Sequence, residues 1–347
     1  MNNFFELRSV KWKSGKVVMI DQTKIPDKLT YVSSRTYRDV ANAIKTMVVR
    51  GAPAIGVAAA MGLGLVALHS KAKTKEIFMK ELESAASKLA ATRPTAVNLS
   101  WALKEIIEVA KKSSDDAGKI KEVIIRKAIQ MAEDDVMANL RIGEYGEPLI
   151  ANEDTVLTHC NAGALATVGY GTALAPIRTS IKQGKRINVI ASETRPRLQG
   201  ARLTAFELSR DRIPVRIITD NMIGHFMHKG MVDKVIVGAD RIVNDGVFNK
   251  IGTYTLAITS RYHKIPFYVA APISTFDLLN SSDNVIIEER STRELTHISN
   301  KRIYPKNVDV MNPAFDFTPF DLVDGIITDR GVINKPVRDK ILEFNKK

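Results

Sequence analysis

Two side chains suited to acid–base chemistry end apolar runs of this chain. Cys160, the single cysteine, closes TVLTHC at 155–160, and Asp240 closes DKVIVGAD at 233–240. A thiol can act as a base or stabilise developing charge, and an aspartic acid at a dry strand end suits a general acid, because loss of water favours its protonated form. The alternatives are a small core cysteine and an aspartate that caps a turn. Their positions favour chemistry for both.

Two arginines stand before prolines in a pattern that predicts anion binding. Arg50 and Gly51 precede Pro53 in VVRGAPAIG, and Arg93 precedes Pro94 in ATRPTAVN. Proline suits the first turn of a helix, and the free N–H groups of a helix start attract anions, especially beside an arginine. One such motif is usually a capped helix. Two of them together predict a phosphate clamp.

Further polar residues follow apolar runs. Gln199 lies in ASETRPRLQGARLTAFEL, where its amide suits a ligand hydroxyl, although the arginines around it could be surface charges. Asn249 and Lys250 come after Asp240, where we expect a loop to return them to a helix start. Asp220 ends the run VRIITD and is interpreted as a strand-end cap.

Neither a cofactor nor a metal is predicted. The stretch NAGALATVGYG lacks the G-x-G-x-x-G spacing of dinucleotide sites, and no phosphate loop ending in G-K-[ST] occurs. Its glycines, Gly163, Gly169 and Gly171, are expected either to let a helix pack closely on a sheet or to admit substrate.

The histidines give no ligand set. His225 and His228 are three residues apart on a predicted helix, without a third ligand in view. His159 adjoins Cys160, but neighbours on a strand face opposite sides, so we do not expect this imidazole to activate the thiol.

The order of predicted elements indicates an α/β protein in two domains. A small hairpin at 10–21 and five helical patterns fill the first part of the chain, whereas short apolar runs alternate with helix-length segments from residue 155 onward. Such alternation is typical of βαβ units and a parallel sheet. We predict a mostly helical N-terminal domain with a small β element, residues 1–147, and a Rossmann-like parallel-sheet α/β catalytic domain, residues 148–347.

The expected ligand position follows from that sheet. Ligands of open α/β sheets lie beyond the carboxyl ends of the strands, which are here Cys160, Glu193, Asp220 and Asp240. The chemistry-bearing residues therefore share one predicted edge.

Composition excludes several protein classes. The 51 basic and 38 acidic residues give a charge of +13, but they are interspersed along 347 residues without an arginine block. An anionic small substrate, or a lysine-rich solvated surface, explains this charge at least as well as nucleic acid, and no nucleic-acid partner is predicted. One cysteine favours the cytoplasm and excludes an intramolecular disulfide framework. The apolar run at 56–70 is expected to be too short and glycine-rich to span a membrane, and the N-terminus lacks the apolar core of a signal peptide.

Six motifs together resemble the methylthioribose-1-phosphate isomerases of methionine salvage. They are RGAPAIG, RPTAVNL, THCNAGALATVGYGTAL, ETRPRLQGARLTAFEL, GADRIVNDGVFNKIGTY, and NPAFDFTP followed by GIITDRGVI. The wider family includes ribose-1,5-bisphosphate isomerases and the regulatory subunits of translation initiation factor 2B, which lack the paired thiol and carboxylate. Both groups are present here, and one departure is Ala162, where a threonine is common in relatives.

The resemblance implies an aldose–ketose isomerase that works without a cofactor. It implies that Asp240 donates a proton and Cys160 assists the transition state, and that the family's homodimer and two-domain fold apply. The implied substrate contacts are Arg50, Gly51, Ala52, Arg93, Gln199, Asn249 and Lys250. A bisphosphate isomerase and a regulatory subunit without turnover remain the alternatives.

Overall fold

The computed structural model describes residues 7–298 and 300–344, which group into two compact units. The first comprises residues up to Leu140 together with Ala162–Thr172, and the second comprises Arg141–Asn161 together with the chain from Ala173 onward. The division differs from the domains predicted at 1–147 and 148–347. The reason is that residues 162–172, which we placed with the α/β domain, pack within the helical unit.

A three-stranded antiparallel sheet opens the first unit. Its strands are β1 (Val10–Lys13), β2 (Lys16–Ile20) and β3 (Tyr31–Ser34), paired in that order. Ser14 and Gly15 join β1 to β2 with φ values of 49° and 69°, as a two-residue hairpin turn requires. The hairpin predicted over 10–21 is therefore confirmed.

Five helices form the rest of this unit. They are α1 (Tyr37–Lys45), α2 (Ala52–His69), α3 (Lys75–Ala90), α4 (Val97–Lys112) and α5 (Ala117–Gly146). Helix α2 is apolar on all sides and almost wholly buried, as expected for a helix at the centre of a core. Phe78 and Leu82 of α3 and Leu99 and Ile106 of α4 complete that core.

Helix α2 also corrects one expectation from the sequence. Within the described part of the chain, α2 is long and apolar enough to cross a membrane. It begins at Ala52 and is therefore longer than the apolar run at 56–70 suggested. Within the protein, 78% of it is buried, which is the usual state of a core helix.

The segment 162–172 is held on the first unit by side chains of α5 and by Gln22. Asp135 of α5 accepts a hydrogen bond from the Val168 N–H at 2.7 Å, and Asn139 donates to the Gly169 carbonyl at 2.9 Å. Gln22 donates to the Leu165 carbonyl at 2.7 Å. Of the two alternatives for its glycines, a helix packed closely on the sheet is wrong, because Gly171 adopts φ 85° against Gly163 in an irregular loop.

Asp135 makes the stability of the fold depend on pH. Burial raises the pKa of its carboxyl from 3.8 to about 7, against the opposing effects of the Val168 N–H, Asn139 and Arg8. When folding raises the pKa of a carboxyl, the group contributes its full stabilisation at pH values below the pKa of the unfolded chain. That contribution is lost as the pH rises through the pKa of the folded protein. The relevant window is therefore about pH 4 to 7.

We expect Asp135→Asn to become the more stable protein as pH rises. One oxygen of Asp135 accepts from both Val168 and Asn139, so an amide oxygen can replace it. A pKa shift of one unit corresponds to about 1.4 kcal/mol of stability, and partial exposure of the side chain reduces the sum. Between pH 4.5 and 8 the free energy of unfolding of wild type should therefore fall by about 2 kcal/mol relative to that of the variant. Thermal unfolding of both proteins at the two pH values measures this. Asp134→Asn, on the exposed face of the same helix, is the control, and an unchanged difference would contradict the assignment.

The second unit contains the predicted α/β sheet. Its strands are β4 (Thr155–Thr158), β5 (Asn188–Ser192), β6 (Val215–Ile218), β7 (Lys234–Val237), β8 (Arg241–Ile242), β9 (Gly246–Lys250), β10 (Phe267–Ala270), β11 (His297–Ile298), β12 (Lys301–Arg302), β13 (Phe315–Pro319), β14 (Gly325–Thr328) and β15 (Gly331–Asn334). Its helices are α6 (Leu174–Lys182), α7 (Ala205–Arg210), α8 (Ile223–His228), α9 (Thr253–Tyr262), α10 (Arg293–Thr296) and α11 (Val337–Phe344).

The main sheet has the order β15-β14-β10-β7-β4-β5-β6. All neighbouring pairs are parallel except β14 with β15. The chain thus runs outward from β4 through β5 to β6, and then returns to continue from β7 on the other side. This is the doubly wound Rossmann-like arrangement, and the predicted fold class is confirmed.

A smaller antiparallel sheet, β13-β9-β8, follows β7 in the chain. In it Asn249 of β9 pairs with Asp316 of β13. The expectation of a loop that brings Asn249 and Lys250 to a helix start is wrong, because both residues end a buried strand and α9 starts only at Thr253.

Candidate active site

The point where the strand order reverses lies between β4 and β7 in the second unit. Leu157 of β4 pairs with Val235 of β7, and the two strands end at Thr158 and Val237. Cys160 and Asp240 follow these ends by two and three residues. Ligands of doubly wound sheets bind in the crevice that opens at such a reversal. The structure therefore places the thiol and the carboxyl at the position where that fold binds ligands, and both residues are half-buried.

His159 fixes the surroundings of this position. Its Nε2 lies 2.9 Å from the Ile251 carbonyl and its Nδ1 lies 2.6 Å from the Ser192 hydroxyl. The carbonyl can only accept, so Nε2 carries the proton and Nδ1 accepts from Ser192. Burial lowers the pKa of His159, which keeps the imidazole neutral. His159 therefore ties the end of β4 to the residue after β9.

The β8–β9 hairpin brings two predicted substrate contacts toward Asp240. The Asp240 N–H donates to the Phe248 carbonyl at 2.9 Å, which joins the end of β7 to β9. Asn249 and Lys250 follow Phe248 directly, and both are buried. Lys250 Nζ donates to the Ala314 carbonyl at 2.5 Å and lies 4.5 Å from the centre of the Phe315 ring. The Lys250 side chain is thus held against β13, on the strand that accepts the hydrogen bond from the Asp240 backbone.

Asp316 carries a half-buried carboxyl that the sequence analysis did not single out. One of its oxygens accepts from the Gly252 N–H at 2.7 Å, at the start of α9. Burial raises the pKa of Asp316 to about 6, although the N–H groups of Gly252 and Tyr254 and the charge of Lys250 oppose that shift. The signal available in the sequence was NPAFDFTP, which carries Asp316 but adjoins no predicted strand.

Gln199 presents an unsatisfied polar atom. The residue is 6% exposed, and its Oε1 has no hydrogen-bond partner within the described part of the chain. Buried amide oxygens are nearly always hydrogen-bonded, so an unpaired one is suited to a ligand hydroxyl. This geometry agrees with the role expected for Gln199.

Of the remaining strand-end residues, Asp220 has structural partners. Asp220 accepts from the N–H groups of Thr194 and Arg195 at 2.8 and 2.7 Å, so its interpretation as a cap is confirmed. Arg195 donates to the Leu295 carbonyl, and Arg197 pairs with Glu294 at 2.6 Å. Burial raises the pKa of Glu193, with the charge of Asp220 acting in the same direction.

The arginine motifs lie in the first unit, and one of them has the predicted form. Gly51 precedes α2 with φ 97°, and Pro53 is in the first turn. A Cβ on Gly51 would lie 2.3 Å from the Ala166 carbonyl oxygen, so this position admits glycine alone. Arg50 and Ala52 flank it.

The second motif does not begin a helix. Helix α4 starts at Val97, and Pro94 lies in the turn before it, which the Ala96 N–H closes by donating to the Arg93 carbonyl at 3.1 Å. The expectation of two matching helix-start anion sites is therefore wrong. Arg93 itself stays a predicted phosphate contact.

A metal site finds no support in the described residues. Across 7–298 and 300–344, no group of three or more His, Cys, Asp or Glu side chains could hold an ion. His225 and His228 lie on α8.

The sequence of this chain matches that of a known protein family over most of its length. Residues 48–335 match the model of the initiation factor 2 subunit family. The chain belongs to the initiation factor 2 subunit family. Curated relatives within that family are named methylthioribose-1-phosphate isomerases, so the resemblance predicted from the six motifs is confirmed.

Three relatives of this family member match it over nearly their whole length. A methylthioribose-1-phosphate isomerase of Geotalea uraniireducens is 51% identical over 94% of this chain and 95% of its own. One of Pelotomaculum thermopropionicum is 50% identical, with 96% and 93% covered. A 5-deoxyribose 1-phosphate isomerase of Moorella thermoacetica is also 50% identical, with 96% and 95% covered.

Two crystal structures of family members share the fold. The 5-methylthioribose 1-phosphate isomerase from Pyrococcus horikoshii OT3 has a TM-score of 0.91 at 46% identity, covering 99% of this chain and 97% of its own. A structure from A. fulgidus, described as the delta subunit of translation initiation factor eIF-2B, has a TM-score of 0.88 at 48% identity, covering 99% and 100%. Similar chains of this family thus carry the names of an isomerase and of an initiation factor subunit.

Proposed function

We propose that this chain isomerises 5-methylthioribose 1-phosphate to 5-methylthioribulose 1-phosphate, with Cys160 and Asp240 as its reacting groups. The observation that carries the proposal is that these two side chains follow the two strands, β4 and β7, that flank the reversal of strand order. Relatives of about half identity over nearly the whole chain support the same activity.

The chemistry requires an acid because the anomeric oxygen carries phosphate. A free aldehyde cannot form, so the ring must open with the phosphate ester retained. In the proposed reaction Asp240 protonates the ring oxygen, the C1–O bond to the ring breaks, and C1 becomes electron-poor.

Two routes complete the isomerisation, and each conserves every atom and charge of the substrate. In the first, the C2 hydrogen leaves as a proton to the Cys160 thiolate, and the resulting enol phosphate takes a proton at C1 while the C2 hydroxyl becomes the carbonyl. In the second, that hydrogen moves to C1 as a hydride, and the C2 hydroxyl loses its proton. Cys160 then stabilises charge where water is excluded.

Substrate binding is assigned to the other residues. Arg50, Gly51, Ala52 and Arg93 are proposed to bind the phosphate, since arginines and free N–H groups suit it. Gln199 and Asn249 are proposed to bind sugar hydroxyls, supported by the unpaired Oε1 of Gln199. Lys250, held by the Ala314 carbonyl, is proposed to stabilise negative charge on the substrate. All of these groups belong to the chain itself.

Two alternatives have specific support. The Moorella thermoacetica relative favours 5-deoxyribose 1-phosphate, which differs only at the 5′ end. The A. fulgidus structure favours a regulatory subunit, although Cys160 and Asp240 are present here. Ribose 1,5-bisphosphate is a third compound to compare, because it would need a basic group at the 5′ end.

A side-by-side assay distinguishes these functions. We expect purified protein to turn over 5-methylthioribose 1-phosphate with a kcat/KM at least about tenfold above that for ribose 1,5-bisphosphate, because one methyl-sized apolar contact alone is worth about that factor. 5-Deoxyribose 1-phosphate is run in parallel. Preference for the bisphosphate would refute the proposed substrate, and no turnover of any of the three would support the regulatory reading.

We further propose a homodimer that acts in the cytoplasm. The family resemblance supports the dimer, and the single cysteine supports a reducing compartment.

A further inference from the structure

Cys160 has a backbone conformation that its own residue type does not favour. Its φ is 64°, in the left-handed region that residues with a Cβ rarely adopt. Such a conformation persists only where the surroundings impose it, and it is commonest at functional sites. The direction of the thiol depends on it, because the Cα–Cβ bond turns with the backbone.

Two buried hydroxyls hold this backbone from either side. The Cys160 N–H donates to Thr194 Oγ1 at 2.8 Å, and Thr204 Oγ1 donates to the Cys160 carbonyl at 2.7 Å. Both threonines are fully buried. Thr194 in turn donates to the Ser192 carbonyl at 3.0 Å, at the end of β5. Both polar groups of the Cys160 backbone are therefore bonded to side chains from a different part of the unit.

The proton of the Thr204 hydroxyl has a fixed direction. The Asn161 amide donates to Thr204 Oγ1 at 3.2 Å and to Glu207 Oε1 at 2.9 Å. A hydroxyl has a single proton, so Thr204 accepts from Asn161 and donates to Cys160. Glu207 is itself held by Arg178 at 2.9 Å, and both side chains are buried. The Thr204 hydroxyl can therefore act toward Cys160 only as a hydrogen-bond donor.

An irregular turn of helix brings Thr204 to this position. Gly200–Thr204 forms a π-helical turn directly after Gln199. A Cβ on Gly200 would lie 1.7 Å from the Ser192 carbonyl oxygen, so the turn approaches the end of β5 more closely than any other residue would allow. Single π-turns of this kind are frequent at functional sites.

We propose that Thr194 and Thr204 are positioning residues that set the direction of the Cys160 thiol. The inference rests on the proposed function for its catalytic meaning, but the geometry of the thiol can be measured without turnover. Loss of either hydroxyl frees one side of the Cys160 peptide and lets the residue relax from φ 64°. The thiol then loses its fixed direction, while the proposed substrate contacts Asn249 and Lys250 lie on β9, away from both threonines in the chain.

The test compares Thr204→Val with Thr204→Ser. Valine keeps the shape and removes the hydroxyl, whereas serine keeps the hydroxyl. We expect kcat to fall about 10- to 100-fold in the valine variant with KM nearly unchanged, since a displacement of about 1 Å can cost that much, and to recover in the serine variant. The rate at which iodoacetamide alkylates the protein should change in parallel, and Cys160 is the only cysteine that can react.

A matched control and a second variant keep the result interpretable. Thr328→Val removes an equally buried hydroxyl, which donates to the Gly331 carbonyl at 2.8 Å in the β14–β15 hairpin, and it should leave kcat and alkylation unchanged. Thr194→Val repeats the test from the other side if Thr204→Val does not fold. If the valine variants change the alkylation rate but wild type does not turn over the substrate, the positioning of the thiol is supported and the proposed isomerase activity is refuted. Normal kcat and alkylation in both valine variants would overturn the proposal.

Discussion

Asp240→Asn is expected to lower kcat by at least about 100-fold in a protein that keeps its fold and still binds substrate. An amide has no proton to give to the ring oxygen, and removal of a general acid typically costs about 10² to 10⁴ in rate. The link from Asp240 to β9 runs through its backbone N–H, which the substitution leaves in place. If Asp240 only capped a turn, the substitution would instead lower the free energy of unfolding by about 1 kcal/mol at most.

Asp245 offers the control for this variant. It lies at the turn of the β8–β9 hairpin, where its carboxylate accepts from the N–H and the hydroxyl of Ser282. Asp245→Asn should change thermal stability slightly and kcat very little. Substantial activity in Asp240→Asn, or inactivity accompanied by unfolding, would return Asp240 to a structural role.

Cys160→Ser is the second substitution with a large expected effect. Serine nearly preserves the volume, and both bonds to the Cys160 backbone remain available, so the protein should fold normally. A hydroxyl is a far weaker base than a thiolate and carries charge less readily, and we expect kcat to fall by about 10² or more. Steady-state kinetics on the folded variant measures this.

Protection of the thiol provides an independent check. Saturating substrate should slow the alkylation of wild-type Cys160, because the thiol faces the bound sugar. Near-normal turnover in Cys160→Ser together with alkylation that ignores substrate would show that the residue only fills space.

The main sheet could be read from the sequence because its strands are short apolar runs that end at polar residues. The runs TVLTHC, VRIITD and DKVIVGAD are strands, and β4, β6 and β7 each stop two or three residues before the end of the run. The final residues of these runs, among them Cys160 and Asp240, lie in the loops after the strands, where we propose the site. The order of the sheet then follows from chain connectivity.

The parts that escaped prediction depend on pairing between distant segments. Gly252 and Asp316 are 64 residues apart, and Cys160 and Thr204 are 44 residues apart. Local periodicity carries no information about such contacts, and β9, β13 and the π-helical turn exist because of them. The segment 162–172 was misassigned for the same reason, since side chains of α5 and the N-terminal loop determine where it packs.

The most direct test of the proposed activity is an NMR observation of 5-methylthioribose 1-phosphate incubated with the wild-type protein alone. We expect the anomeric C1 signal to disappear, a ketone carbon to appear at C2, and the phosphorus to stay esterified, all without an added cofactor. An unchanged spectrum, or release of inorganic phosphate without a ketone signal, would contradict it.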